Sequence, residues 1–166
     1  VSAIVKFPLR MLSVQQLERI SSIIVYADKI REEKDEIHDT NNFSIGYFVG
    51  SKNPDFPAYY KELKDRVCKG DNGDNVDEES FILPKCPFCS SPVYLINDDE
   101  HKRVLHHCKE CDKKYHIYLS DREIYRWRPS FIVSTVDKWA GVSMQRRLRN
   151  LLGGKGSYCP EGHGFI

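Results

Sequence analysis

A chain of 166 residues, 40% apolar and 30% charged, can bury one real core and carry a small insert, which excludes a chain disordered throughout. No run approaches the ~18 apolar residues of a membrane span, so no membrane partner is expected, and Lys6 and Arg10 interrupt the first residues, which do not read as a signal peptide. The formal charge of +1 conceals a split: residues 1–69 hold 11 basic and 10 acidic side chains, residues 70–100 hold 1 and 8, and residues 101–166 hold 13 and 6. Contact with a polyanion is therefore expected late in the chain, unless the basic end is only a solvated face. The chain starts at Val1, without a methionine and inside what reads as a strand, and is expected to be a piece of a longer protein.

Residues 3–7 form a short apolar run that ends at Pro8 and read as a buried strand. Ser13 and Gln16 have the spacing of a capping box, which predicts a helix starting there. Val14, Leu17, Ile20, Ile24, Ala27 and Ile30 give that helix an apolar face of about five turns, and the polar run 32–42 ends it. Residues 43–49 read as a second strand, closed by Gly50 and Asn53-Pro54. Strand, long helix, strand is a crossover unit and implies a parallel sheet. Pro57 opens a shorter helix to residue 67. Residues 70–80 are polar, acidic and turn-rich, and read as a linker. Beyond the cysteine block, residues 130–135 form a third buried strand. A helix from about Asp137 to near Gly153 follows, with Trp139, Met144, Leu148 and Leu151 on one side.

Four of the six cysteines fall in two C-x-x-C pairs, Cys86 with Cys89 and Cys108 with Cys111, separated by 18 residues. Each pair belongs on a tight turn, and the interval suits a β-excursion that brings both turns to one tetrahedral site. One structural zinc ion on four thiolates follows, in a reducing, cytoplasmic setting. Four thiolates leave no open position, so catalysis by this zinc is not expected, and matched pairs that open no helix argue against a redox motif. Val93, Leu95, Val104, Leu105, Tyr115 and Ile117 alternate loosely, as ribbon strands would. His106, His107 and His116 read as surface or packing residues, and Cys68 as a buried or idle thiol. Cys159 and His163 supply half of a second site.

Three segments carry a resemblance. Residues 7–16, Phe-Pro-Leu-Arg-Met-Leu-Ser-Val-Gln-Gln, look like a strand ending in Pro-x-Arg before a helix. Residues 45–50 look like the strand that follows, with a glycine-ended turn. Residues 121–140, with Ser-Thr-Val-Asp-Lys at 134–138, look like the next strand-end motif. Together they resemble the first RecA-like domain of superfamily 2 helicases, in particular the helicase subunit of DISARM antiphage systems and its bacterial relatives. The resemblance implies an α/β fold, a partial RecA-like parallel sheet with helices over residues 1–69 and 123–166. An acidic linker and a small all-β zinc ribbon built on the four cysteines would interrupt it at residues 70–122. It also implies a parent that uses ATP and Mg2+, tracks nucleic acid (DNA rather than RNA) and works with other subunits of a defence complex.

In an open parallel sheet, ligands bind beyond the carboxyl ends of the strands, where helix-start amides and hydroxyls hold phosphates without reading bases. Arg10, Ser134, Thr135 and Lys138 occupy such places, and the resemblance adds Gly50. Their plainer use is structural: Thr135 and Ser13 capping helices, Arg10 paired with a carboxylate. The phosphate loop G-x-x-x-x-G-K-[ST] does not occur, because Gly153-Gly154-Lys155 runs into Gly156. Asp77-Glu78-Glu79 and Asp98-Asp99-Glu100 do not end apolar strands. The chain alone is expected to hydrolyse no ATP. The alternative is a free-standing zinc-ribbon adaptor, with Lys102, Arg103, Lys109, Lys113 and Lys114 on phosphates and Tyr115 stacking on a base.

Overall fold

The structure, a computed structural model, describes residues 1–8, 10–34, 42–49, 59–68, 80, 82–142, 147–153 and 156–165. It is a mixed α/β fold with a four-stranded parallel sheet and a three-stranded antiparallel sheet. Strand β1 (Ala3–Phe7) leads into helix α1 (Arg10–Glu32) and strand β2 (Ile45–Phe48), and helix α2 (Tyr60–Cys68) follows. Strands β3 (Val93–Asp98), β4 (Arg103–Cys108) and β5 (Lys113–Tyr115) make the small sheet. Strand β6 (Ile117–Tyr118), helix α3 (Asp121–Trp127), strand β7 (Phe131–Thr135), helix α4 (Val136–Val142) and helix α5 (Leu148–Leu151) complete the chain.

The parallel sheet has the order β1-β7-β2-β6. Ile4 pairs with Ile132, Tyr47 with Val133 and Ile45 with Ile117. Both faces are covered, as a parallel sheet requires, and alternate residues serve opposite sides. Ile45, Tyr47, Val49 and Val133 join Leu17 and Val25 of α1 in one core cluster. Phe48, Ile132 and Tyr118 join Ile124 and Tyr125 of α3 and Leu151 of α5 in a second cluster on the other face. Gly46 lets α3 and the residues after it come close, since a Cβ there would lie 3.0 Å from Cγ1 of Ile124 and 2.7 Å from Cγ of Pro129.

Several expectations change. The capping box at Ser13 does not form: α1 starts at Arg10, and the Ser13 hydroxyl is buried against the Tyr47 hydroxyl, 2.6 Å away. The expected face holds in part: Leu17 is buried and Val14, Ile20 and Ile24 pack against the core, but the most buried stripe of α1 runs through Ser13, Leu17, Ser21 and Val25, and Ile30 is 54% exposed. The true capping box is at α3, where Ser120 accepts from the Glu123 amide while the Glu123 carboxylate accepts from the Ser120 amide. Ile117 belongs to the parallel sheet and not to the ribbon, because Ile45 and Gly46 pair with it and Tyr118. The single helix expected from Asp137 to Gly153 is two described helices, α4 and α5, with residues 143–146 outside the described residues. The predicted linker at 71–79, Pro57 and the side chain of Cys68 also lie outside them.

The small sheet is packed into the first core. Ile82, Leu83, Cys86, Val93, Leu95, Val104 and Cys108 share one cluster with Leu17 and Ile45. Polar ties surround that contact. Asp99, in the β3–β4 turn, accepts from Lys64 at 2.6 Å and from Tyr60 at 2.9 Å, holding the turn to α2. Tyr26 of α1 donates its hydroxyl to the Pro87 carbonyl, and its ring meets Phe88 edge-on with centroids 5.0 Å apart.

Glu123 is a buried tie between the two sheets. Its Oε1 accepts from the Val104 amide at 2.7 Å, and its Oε2 accepts from the Ser120 amide and hydroxyl at 3.1 and 2.6 Å. Burial pushes its carboxyl above the ordinary range against the pull of those donors. Glu123→Ala would strand buried donors, each worth about 1–3 kcal/mol. The expected loss is about 2–4 kcal/mol, or roughly 5–15 °C in melting temperature. A thermal melt showing less than about 1 kcal/mol of loss would count against this tie.

A second prediction concerns acid. His116 sits between Asn42 at 3.3 Å and Arg103 at 3.5 Å, and burial, together with the Arg103 charge, lowers its imidazole from 6.5 to about 4. The folded state therefore refuses a proton that the unfolded chain accepts. This group's contribution is unchanged above its ordinary value and turns against folding as pH drops from 6.5 towards 4. His116→Gln should make melting temperature less steep against pH in that window; equal slopes for variant and wild type would refute it.

Candidate metal centre

The four cysteines of the two C-x-x-C pairs converge, as the spacing requires. Cys86 and Cys89 sit on the turn before β3, and Cys108 and Cys111 on the turn between β4 and β5. The two turns are built alike. The residue four beyond each leading cysteine, Ser90 or Asp112, has a left-handed backbone with φ of 61° or 50°. Amides of Phe88 and Cys89 donate to the Cys86 sulfur, and those of Glu110 and Cys111 to the Cys108 sulfur. Strand pairing then aligns the turns, since Val93 is opposite Cys108 and the Cys86 amide donates to the Ser91 carbonyl at 2.8 Å.

The four Sγ atoms all lie within 4.8 Å of one another. Cys86 is 3.6 Å from Cys111, and Cys89 is 3.4 Å from Cys108. These separations are far too long for a disulfide, whose sulfurs lie at about 2.05 Å. They approach the edge of a tetrahedron built on metal–sulfur bonds of ~2.3 Å, which is roughly 3.8 Å. Four close cysteines with these spacings could hold a metal ion and are compatible with zinc.

The protein around the sulfurs is asymmetric. Cys86 is 2% exposed and Cys108 fully buried, so half of the cluster is core. Burial works against the Cys86 thiolate, but hydrogen bonds from the Tyr115 hydroxyl at 3.0 Å and from the turn amides outweigh it and bring the thiol down to about 6. Burial pushes Cys108 up, and burial with the neighbouring sulfurs of Cys108 and Cys86 pushes Cys111 up to about 12. A bound divalent cation reverses that mutual penalty, because it deprotonates its thiol ligands outright.

Tyr115 is buried against Cys86, so it is not available to stack on a base. His106 is also buried, with Ser80 Oγ 2.7 Å from its Nδ1, and burial lowers its imidazole to about 3. It is a packing residue. His107 contacts Asp112 at 2.8 Å. Of the ribbon cations, Arg103 bonds Asp98 at 2.7 Å, Lys109 lies over the Tyr94 ring, and Lys113 lies over Phe88 and 3.7 Å from Glu32.

The residues expected at nucleic acid fare differently. Ser134, Thr135 and Lys138 come together at the carboxyl end of β7, but the fold occupies all three. Ser134 is buried and donates to the Phe48 carbonyl at 2.7 Å. Thr135 caps α4, accepting from the Lys138 amide at 3.4 Å. The Lys138 side chain is 13% exposed, bonds Asp121 at 2.5 Å and lies over the Phe48 ring. Burial raises the Asp121 carboxyl even beside that ammonium. Arg10 opens α1, with its side chain outside the described residues, and Gly50 lies outside them altogether.

No family model matches the chain. The chain is similar to the DISARM protein DrmA of Bacillus paralicheniformis, at 28% identity over 182 aligned positions that take in 100% of this chain and 16% of that protein. The chain thus spans about a sixth of the length of that relative. The similarity suggests an antiphage defence context. Among the described residues, no helix is long and apolar enough to cross a membrane.

The cluster generates a direct expectation. The purified chain should carry zinc here, and Cys108→Ser should lose it. Because Cys86 and Cys108 lie in the core shared with α1 and β2, the melting temperature of the whole chain should fall, by roughly 10 °C or more. Elemental analysis finding equal zinc in wild type and variant, or a melt unmoved by a strong chelator, would sink the assignment.

Proposed function

We propose that the chain is the middle of the first motor domain of a DISARM-type superfamily 2 helicase or translocase, with a structural zinc ribbon built in. The observation that carries this reading is the end-to-end similarity to the DISARM protein DrmA. The parallel sheet with helices on both faces is the architecture such a motor needs. In it, residues 1–69 and 117–166 are motor, the second part starting at β6 and not at the expected 123, and the acidic segment with the four-cysteine ribbon is an insert between them. Zinc on Cys86, Cys89, Cys108 and Cys111 supplies a cross-link and, with four protein ligands, no reactive position. ATP and Mg2+ bind elsewhere in the parent, which acts in the cytoplasm on DNA alongside other subunits of the defence complex.

This chain's share of the work is to follow the nucleic-acid backbone. The start of α1, just after β1, offers helix amides, and Arg10 is its first residue; phosphates bind at such helix starts without base reading. Gly50 follows β2 in the sequence and is added on the resemblance alone. Ser134, Thr135 and Lys138 hold the end of β7, the strand next to β1, through the Phe48 carbonyl, the α4 cap and Asp121.

Two measurements test the reading. The isolated chain should hydrolyse no ATP, while ATP turnover by the full-length parent should rise several-fold with DNA. Arg10→Ala in the parent should weaken DNA binding equally across unrelated sequences and reduce the slope of log K against log salt by about 0.7–0.9. Turnover by the isolated chain, or a parent indifferent to DNA, would overturn the motor reading in favour of an adaptor.

A further inference from the structure

Away from the four cysteines, the described residues bring together one other group of metal-binding side chains: Cys159, Glu161 and His163, whose ligand atoms all lie within 4.8 Å of one another. The segment that carries them is a tight hairpin. Tyr158 bridges to Phe165, the Cys159 amide donates to the Gly164 carbonyl at 2.8 Å, and the Gly162 amide donates to the Cys159 carbonyl at 3.0 Å. Gly162 and Gly164 adopt the left-handed backbone, with φ of 79° and 86°.

The hairpin is fixed to the domain. The Phe165 amide donates to the Arg126 carbonyl at 2.8 Å, at the end of α3. Gly164 packs so closely there that a Cβ would lie 2.6 Å from that same carbonyl oxygen. The Tyr158 and Phe165 rings meet edge-on at 5.3 Å, and the Arg128 guanidinium covers Phe165. The three donors are thus held by a short, pinned turn.

Their separations have the dimensions of a coordination shell. Cys159 Sγ is 3.7 Å from His163 Nδ1, which is 3.4 Å from Glu161 Oε2. Tetrahedral zinc with bonds of ~2.3 Å to sulfur, ~2.05 Å to nitrogen and ~2.0 Å to oxygen has S···N and N···O edges of roughly 3.6 and 3.3 Å. A thiol, an imidazole and a carboxylate together form a donor set suited to zinc.

We propose that Cys159, Glu161 and His163 form a second site for a zinc-type divalent cation, with a fourth position open to water. Glu161 is 76% exposed, so the site lies at the surface, and His163 also lines a cavity of about 410 Å3 with Tyr59, Lys102, Arg122 and Arg126. Three ligands on one turn make it weaker and faster to exchange than the four-cysteine centre.

The test uses the 166-residue chain with Zn2+ and Co2+ alone as probes. Wild type should bind about two equivalents, the second of them lost first to a mild chelator. Cys159→Ser and His163→Ala should each keep only about one, whereas His163→Cys, which restores a good zinc ligand, should keep the second. Co2+ at this site should show one thiolate's charge-transfer absorption on top of the stronger four-thiolate spectrum. Metal content unchanged in both Cys159→Ser and His163→Ala would overturn the proposal, as would a His163→Cys chain that binds no more than His163→Ala. Failure of the first centre reads out separately, as absence of the four-thiolate spectrum in wild type.

Discussion

Two sulfur atoms at the centre of a hydrophobic core constrain everything around them. Cys86 and Cys108 are buried among Leu17, Ile45, Val93 and Leu95. Their partners Cys89 and Cys111 complete the set: the Cys86–Cys111 and Cys89–Cys108 edges, 3.6 and 3.4 Å, run a few tenths of an ångström short of a zinc tetrahedron. Burial and mutual proximity raise the Cys108 and Cys111 thiols, so without a cation these groups hold their protons at the junction of the two sheets. With one, the same closeness becomes a cross-link between two turns, and the turns hold the residues that pack on α1 and β2. A metal held by these four cysteines would therefore be linked to the core.

That linkage extends through polar ties, one buried and one at the surface. Glu123 joins a ribbon strand to the start of α3, and Asp99 joins the β3–β4 turn to α2. A carboxylate buried among donors, as Glu123 is, is costly to place and costly to remove, because the buried donors it serves would lose an acceptor. Such ties add orientation, which apolar contact lacks. They fix the ribbon in one pose against the sheet, as the four sulfurs fix its two turns against each other.

Much of this was legible in the sequence, wherever a short-range rule had one physical meaning. The two C-x-x-C pairs named all four cysteines, since little else needs that spacing twice. Strand β1 was read to the residue, because Pro8 ends an apolar run. The capping-box rule misfired at Ser13 and was missed at Ser120, although both have the same spacing; what separates them is long-range. Ser13 meets Tyr47, 34 positions away, and Glu123 meets Val104 across the sheets. Strand β6 has two residues and no periodicity to read, so only its pairing with Ile45 and Gly46 reveals it. The strand-end residues Ser134, Thr135 and Lys138 were placed correctly by pattern, but their side chains answer to Phe48, α4 and Asp121, which no local pattern shows.

The position of the ribbon in the topology decides how it should be regarded. Parallel strands that neighbour each other cannot be joined by a hairpin and need a crossover. Strands β2 and β6 are such neighbours, and the chain between them is α2, the acidic segment and the ribbon. The ribbon is thus part of the crossover that lets β6 join the sheet, and it lies on the face that α1 also covers. An appendage could be deleted and the loop closed; a crossover cannot be removed without releasing β6, and with it the Ile45–Ile117 pairing. In such a topology the four-cysteine cluster, compatible with zinc, sits within the connection that the sheet itself needs.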